Sequence, residues 1–320
     1  CFGALLLMIK TTYFTKVIHC NSLLGVVIFL SALTAQVVLA APERTTALVA
    51  KPLIITTIKP LAIIAQSAVG DHAQVEYLQS AVQSAHEVSL PVSAMRKIDQ
   101  ADLIVWIGEM FESRVAKPMA LLSEGKRITV MQLPLIAPGN AEAQEESGGE
   151  SDHSHSHDHS ALRADPHVWL NPENANLIAA EIQRRLALPV KEIISAAQVA
   201  DLAAELTPLR DKQFLVHHDA LDHFTSTFKL QPGLSIRDAS GASQGVRSQY
   251  RLRRQAIASA ASCIFIEPQY ADRDAQVIAQ ELSLPVALID IQGLDQALVG
   301  NGYASFMQSL TTQFKSCFNG

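Results

Sequence analysis

Residues 53–70 read LIITTIKPLAIIAQSAVG, and this stretch decides the fold. Its first part, 53–57, is a short run of apolar and β-branched residues, the pattern of a strand buried on both faces. Lys59-Pro60 then opens a helical stretch to about Val69, with proline tolerated in the first turn. The same unit recurs along the chain. Strands are expected at 75–78, 103–107 (LIVWI) and 128–132 (ITVMQ), then at 214–217, 234–236, 263–266 (CIFI) and 286–289 (VALI). Helical stretches are expected at 219–229, 247–261, 271–283 and near 303–316. Strands alternating with helices predict parallel sheets. Between the two sets, Asn171-Pro172-Glu173 starts a helix to about Leu188. A second, opened by Pro189, runs to about Leu206. The expected architecture is α/β: two lobes, each a roughly four-stranded parallel sheet flanked by helices, joined by a linking helix. The first lobe spans 41–188, the linking helix 189–207 and the second lobe 208–320.

The 320 residues are 48% hydrophobic and 18% charged, a globular composition. With a net charge of −6 there is no basic footprint for nucleic acid. The N-terminal 40 residues differ from the rest. Lys10, Lys16 and His19 precede an apolar run at 23–33, followed by Val38-Leu39-Ala40-Ala41-Pro42, which reads as a cleaved export signal. The run is shorter than the roughly 20 residues a membrane span needs, so the mature chain is expected in an exported, oxidising compartment with no membrane insertion. Met8 is a candidate start. Loss of the leader removes Cys1 and Cys20 and leaves Cys263 and Cys317. An even count in such a compartment predicts one disulfide, the alternative being two buried thiols.

Residues 138–160 (PGNAEAQEESGGESDHSHSHDHS) hold six acids and no cation or large apolar group, so they are expected as a disordered loop. Within it His153, His155, His157 and His159 alternate with Ser and Asp, a tract suited to weak, multi-site binding of transition metal. Four further groups share a place in the architecture, each following a strand: His86, His167 in Asp165-Pro166-His167-Val168-Trp169-Leu170, His218 in Val216-His217-His218-Asp219-Ala220, and Asp290. Ligands of open α/β sheets sit beyond the carboxyl ends of the strands, here in the interlobe cleft. Three His and one carboxylate make a tetrahedral set of the kind Zn²⁺ takes. Taken singly, each His is equally a satisfied loop residue, and Asp290 equally a turn cap. Glu267 also follows a strand, as either an acceptor orienting a ligand imidazole or a surface carboxylate. Trp106 and Trp169 read as packing residues, and His72 and His223 as surface groups or supports behind the ligands.

These residues resemble the ABC-transporter substrate-binding proteins for zinc and manganese, and within them the periplasmic zinc-uptake (ZnuA-type) proteins. The resemblance is carried by IKPLAIIAQSAVG at 58–70, ADLIVWIG at 101–108, DPHVWLNPENA at 165–175, HHDALDHF at 217–224, SCIFIEPQY at 262–270, LIDIQG at 288–293 and SCFNG at 316–320. It implies metal ligands at His86, His167 and His218 with an acidic ligand at Asp290, and a disulfide between Cys263 and Cys317. The HDA match favours His218 over His217, and His at that place favours zinc over manganese. Ala85 stands where zinc members often carry Glu, and Val88 where Tyr is common. The implied function is non-enzymatic: a periplasmic monomer that captures Zn²⁺ and delivers it to an inner-membrane ABC permease and its ATPase. The rival readings are a metal buffer or chaperone without a transporter, and a zinc hydrolase, for which no HExxH or GxSxG motif is present.

Overall fold

Apolar runs short enough to be strands, each followed by a crossover helix, build two sheets of the same topology. The computed structural model describes residues 50–83, 90–137, 165–238, 241–242, 244–270 and 273–318. The expected leader at 1–40 and the loop at 138–160 lie outside the described residues. In the first sheet β1 (Leu53–Thr56), β2 (Gln74–Tyr77), β3 (Leu103–Trp106) and β4 (Arg127–Thr129) pair in parallel in the order β2-β1-β3-β4. The central strands are the most apolar: every residue of β3 is buried, whereas the edge strand β2 reads QVEY. Helices α1 (Lys59–Val69), α2 (Val92–Gln100) and α3 (Ala116–Ala120) lie between successive strands. The second sheet repeats the plan. β5 (Leu215–His218), β6 (Leu234–Arg237), β7 (Ile264–Ile266) and β8 (Val286–Leu288) are parallel in the order β6-β5-β7-β8, with α6 (Asp222–Phe228), α7 (Val246–Ala258) and α8 (Arg273–Leu282) between them. In both sheets the first and third strands are neighbours, so their following loops diverge at the point where such folds take ligands.

Helices α4 (Pro172–Arg185) and α5 (Ala196–Leu206) connect the lobes, and α9 (Gly302–Ser316) closes the chain. The helix expected from 190 starts later. Lys191 N–H donates to Gln183 Oε1 and Ile193 N–H to Asn176 Oδ1, both at 2.9 Å, which holds this stretch non-helical. α5 begins only where Ser195 and Gln198 form a capping box. The fourth strand is shorter than expected: Met131 N–H still reaches the Ile107 carbonyl beyond β3, but the Val130 carbonyl accepts the Leu133 N–H and Val130–Gln132 closes a 3-10 turn. Helix α1 packs on α4 and on α9, so apolar residues of both lobes merge into one cluster that includes Ile54, Trp106, Trp169, Phe214, Phe265 and Phe314. A second cluster lies between the second sheet and α7 and α8. Cys263 and Cys317 form a buried disulfide that ties β7 to the end of α9. It closes a loop worth about 4 kcal/mol on the chain-entropy account. Among the described residues no helix is long and apolar enough to cross a membrane.

Candidate metal centre

The segment from Asp165 to Pro172 is a sequence of local instructions. Asp165 Oδ1 accepts the His167 N–H at 3.0 Å, the turn expected of an aspartate two residues ahead. Val168–Leu170 makes one 3-10 turn, and Asn171 caps α4 by accepting the Glu173 N–H at 2.8 Å, with Pro172 in the first turn. Trp169, fully buried, donates its indole N–H to the Ile291 carbonyl of the second lobe at 2.8 Å. His167 is thereby aimed inward, 1% exposed. His218 is the last residue of β5 and 2% exposed.

Each imidazole is held by a carboxylate. His167 Nδ1 lies 2.7 Å from Asp165 Oδ1, and His218 Nδ1 lies 2.6 Å from Glu267 Oε1, in the loop after the neighbouring strand β7. An ionised carboxylate only accepts, so both rings carry their proton on Nδ1 and present Nε2 as the free-electron-pair nitrogen. The two Nε2 atoms face each other at 3.3 Å. Aromatic rings wall the pair. Trp169 and Phe111 approach His167 edge-on at 5.2 and 5.8 Å between centroids, and Tyr270 lies 5.5 Å from His218. The adjacent His217 stacks on Tyr270 at 4.2 Å.

Burial and neighbours separate the two rings electrostatically. Burial drives the His167 pKa well below the usual imidazole range, and the adjacent His218 lowers it further. Burial also lowers His218, but the Glu267 charge and hydrogen bond, with Asp219 and Asp165 nearby, outweigh it and raise the pKa. Burial next to Asp222 and Asp165 pushes Asp219 up to about 7, and burial next to Asp165 pushes Asp222 to about 6.

Asp290 follows β8 and is partly buried. Its carboxylate accepts the Gln292 N–H at 3.1 Å and the Leu294 N–H, which folds the loop that Trp169 and Lys59 grip from the first lobe. Burial raises its pKa. His86 and the loop residues His153, His155, His157 and His159 lie outside the described residues. Among the described residues no group of three or more His, Cys, Asp or Glu gathers closely enough to hold a metal ion, so His167 and His218 are brought together without Asp290 closing on them. His72 is exposed on the turn Gly70–His72, and Trp106 is buried with its indole N–H on Thr129 Oγ1. Sequence reasoning assigned no role to Asp165. The signal was present: an acid two residues before a candidate ligand, across a proline.

The family profile described as ZnuA, zinc-uptake complex component A, periplasmic, matches residues 54–317. The high-affinity zinc uptake system protein ZnuA of Yersinia pestis is 27% identical over 291 residues, covering 84% of this chain and 92% of the relative. That of Haemophilus influenzae is 25% identical, covering 90% and 97%. Among solved structures, a crystal structure of ZnuA superposes with a TM-score of 0.63 at 20% identity, covering 83% of this chain and 99% of the other. The periplasmic zinc-binding protein TroA of Treponema pallidum does so with 0.64 at 16% identity, covering 83% and 99%. These likenesses show a shared two-lobed α/β fold.

Proposed function

Since the chain belongs to the ZnuA family of periplasmic zinc-uptake components, we propose that it captures Zn²⁺ in the periplasm and delivers it to an inner-membrane ABC permease and its ATPase. The observation that carries this reading is the 3.3 Å between the His167 and His218 Nε2 atoms. Two nitrogens at about 2.05 Å from a tetrahedral zinc ion lie about 3.3 Å apart. The carboxylates on Nδ1 fix both rings in the ligating tautomer, the arrangement metal-bound histidines need.

His86 and Asp290 complete the proposed set. Gln292 Nε2 donates to the Gln83 carbonyl at 3.1 Å, and Gln269 Nε2 to the Ala81 carbonyl at 3.0 Å. The chain leading to His86 is therefore tied to the loops that carry Asp290 and Glu267. The Asp290 oxygens accept backbone N–H groups, yet a carboxylate offers about four lone-pair positions and retains capacity for an ion. Three imidazoles favour zinc over the harder manganese. The histidines of the 138–160 loop act as a weak collector that raises the local zinc supply without entering the final coordination sphere. The protein is a monomeric carrier that performs no covalent chemistry.

The test is zinc affinity by competition with a chelator. His167→Ala and His218→Ala each lose the tight site while keeping the melting temperature of the zinc-free protein, and deletion of 140–160 keeps one tightly bound ion. Unchanged tight binding in either alanine variant overturns the ligand assignment. Delivery is tested by zinc uptake in reconstituted vesicles holding the permease and ATPase. Uptake that does not depend on this protein contradicts it.

A further inference from the structure

The geometry points to His223 as a positioning residue for zinc binding: its Nε2–H bond to the Asp165 carbonyl holds the Asp165-Pro166-His167 corner so that His167 faces the metal. The inference rests on the reading of His167 as a zinc ligand.

His223 lies in the first turn of α6 and is 2% exposed. Its Nε2 is 3.1 Å from the Asp165 carbonyl oxygen. A carbonyl only accepts, so this nitrogen carries the proton and donates it. Asp165 in turn accepts both the backbone N–H and the Nδ1–H of His167 on Oδ1. The relay is thus His223 to the Asp165 main chain, and the Asp165 side chain to His167. Among the described residues the Asp165 main chain makes no other hydrogen bond. Remove the donor, and among the described residues Asp165 keeps hydrogen bonds only to His167, the residue whose ring it orients. Losing such a supporting contact typically weakens metal binding 10- to 100-fold.

Three variants of the full-length protein separate this role from simple packing. His223→Phe keeps the bulk without a donor. His223→Gln keeps an N–H within reach of the carbonyl. His223→Asn is polar but too short to reach it. With Zn²⁺ alone as probe, under chelator competition, Phe and Asn are expected to bind about tenfold or more weakly and Gln within roughly threefold of the unsubstituted protein. Long-range ¹H–¹⁵N spectra of the zinc-free protein should show His167 as one tautomer, protonated on Nδ1, in the unsubstituted and Gln forms, and as a mixture in Phe and Asn. If the Phe variant does not fold, Asn against Gln decides. Equal affinity across the folded variants, or a Gln variant as weak as Asn, overturns the proposal. If His167→Ala binds zinc as the unsubstituted protein does, it is the metal-site reading that fails, and the His223 relay with it.

Discussion

Between the His167 and His218 Nε2 atoms there is room for one electrophile, either a proton or a metal ion. Both Nδ1 protons are committed to carboxylates, so without metal two lone pairs confront each other unless a proton lies between them. His218 is the ring that carries it, because Glu267 overcomes burial and raises its pKa while His167 is driven down. Zinc needs both rings neutral and must displace that proton. The sign follows: affinity falls as pH is lowered, and the fall begins above the ordinary imidazole value near 6.5. The zinc-free protein has the converse dependence. Stability from the charged His218 is present below the ordinary value and lost as pH rises through the raised one. Zinc titration calorimetry in buffers of different ionisation enthalpy should report net proton release on binding, growing as pH is lowered from about 8 toward the ordinary imidazole value. Heats that do not vary with buffer contradict this. His167, His218 and Glu267 were legible as candidates because each stands at or just beyond a strand end or in a distinctive run. The role of Asp165 was not, since an acid ahead of Pro-His forms a turn in proteins that bind nothing.

At the scale of elements, the loop after β3 is organised by Glu112, 1% exposed, whose Oε2 accepts the Ile107 N–H at 2.7 Å and the Gly108 N–H at 3.4 Å. Burial pushes its pKa up to about 7 against hydrogen bonds from Thr57, Ile107 and Gly108 that lower it. The folded protein therefore holds this proton more tightly than the unfolded chain, so stability falls as pH rises from the ordinary carboxylate range toward 7. Glu112→Gln keeps an acceptor and removes the charge. Denaturant unfolding should show the variant more stable at pH 8, by at most about 3 kcal/mol, and little changed at pH 5. A variant less stable at pH 8 refutes the assignment. Ser195→Ala removes the cap of α5 and should cost about 1 kcal/mol with zinc affinity unaltered. The sequence located these elements by apolar runs, and its errors have physical causes. Val130-Met131-Gln132 continues the strand pattern, but the Val130 carbonyl accepts the Leu133 N–H and closes a turn. Residues 190–194 follow a proline as a helix would, but the side chains of Asn176 and Gln183 take their backbone. The amphipathic α2 and the five-residue α3 fell in stretches where no strand or cap marked them.

At the scale of the whole molecule, two lobes were legible, but not that they share a core. That depends on pairs remote in sequence: Trp169 with Ile291, the Tyr303 hydroxyl with the Trp169 carbonyl at 2.8 Å, and Lys59 with the Leu294 carbonyl at 2.5 Å. Gly293 marks the closest approach. Its φ is +65°, and a Cβ there would stand 2.7 Å from Ile63 Cδ1 and 3.1 Å from Phe306 Cδ2. Gly293→Ala should destabilise by about 1–3 kcal/mol through overpacking and backbone strain together. With one core across both lobes, unfolding should be a single transition, with tryptophan fluorescence and circular dichroism coincident. Separate transitions for the two sheets contradict a shared core. The central claim, that His167 and His218 are two ligands of one captured zinc ion, is tested most directly by anomalous diffraction at the zinc edge from crystals of the zinc-loaded protein. The predicted result is a single strong peak about 2.0–2.1 Å from both Nε2 atoms, with Asp165 and Glu267 still on the Nδ1 atoms. A peak elsewhere, with the two Nε2 atoms still facing each other and bonded to no metal, would contradict it.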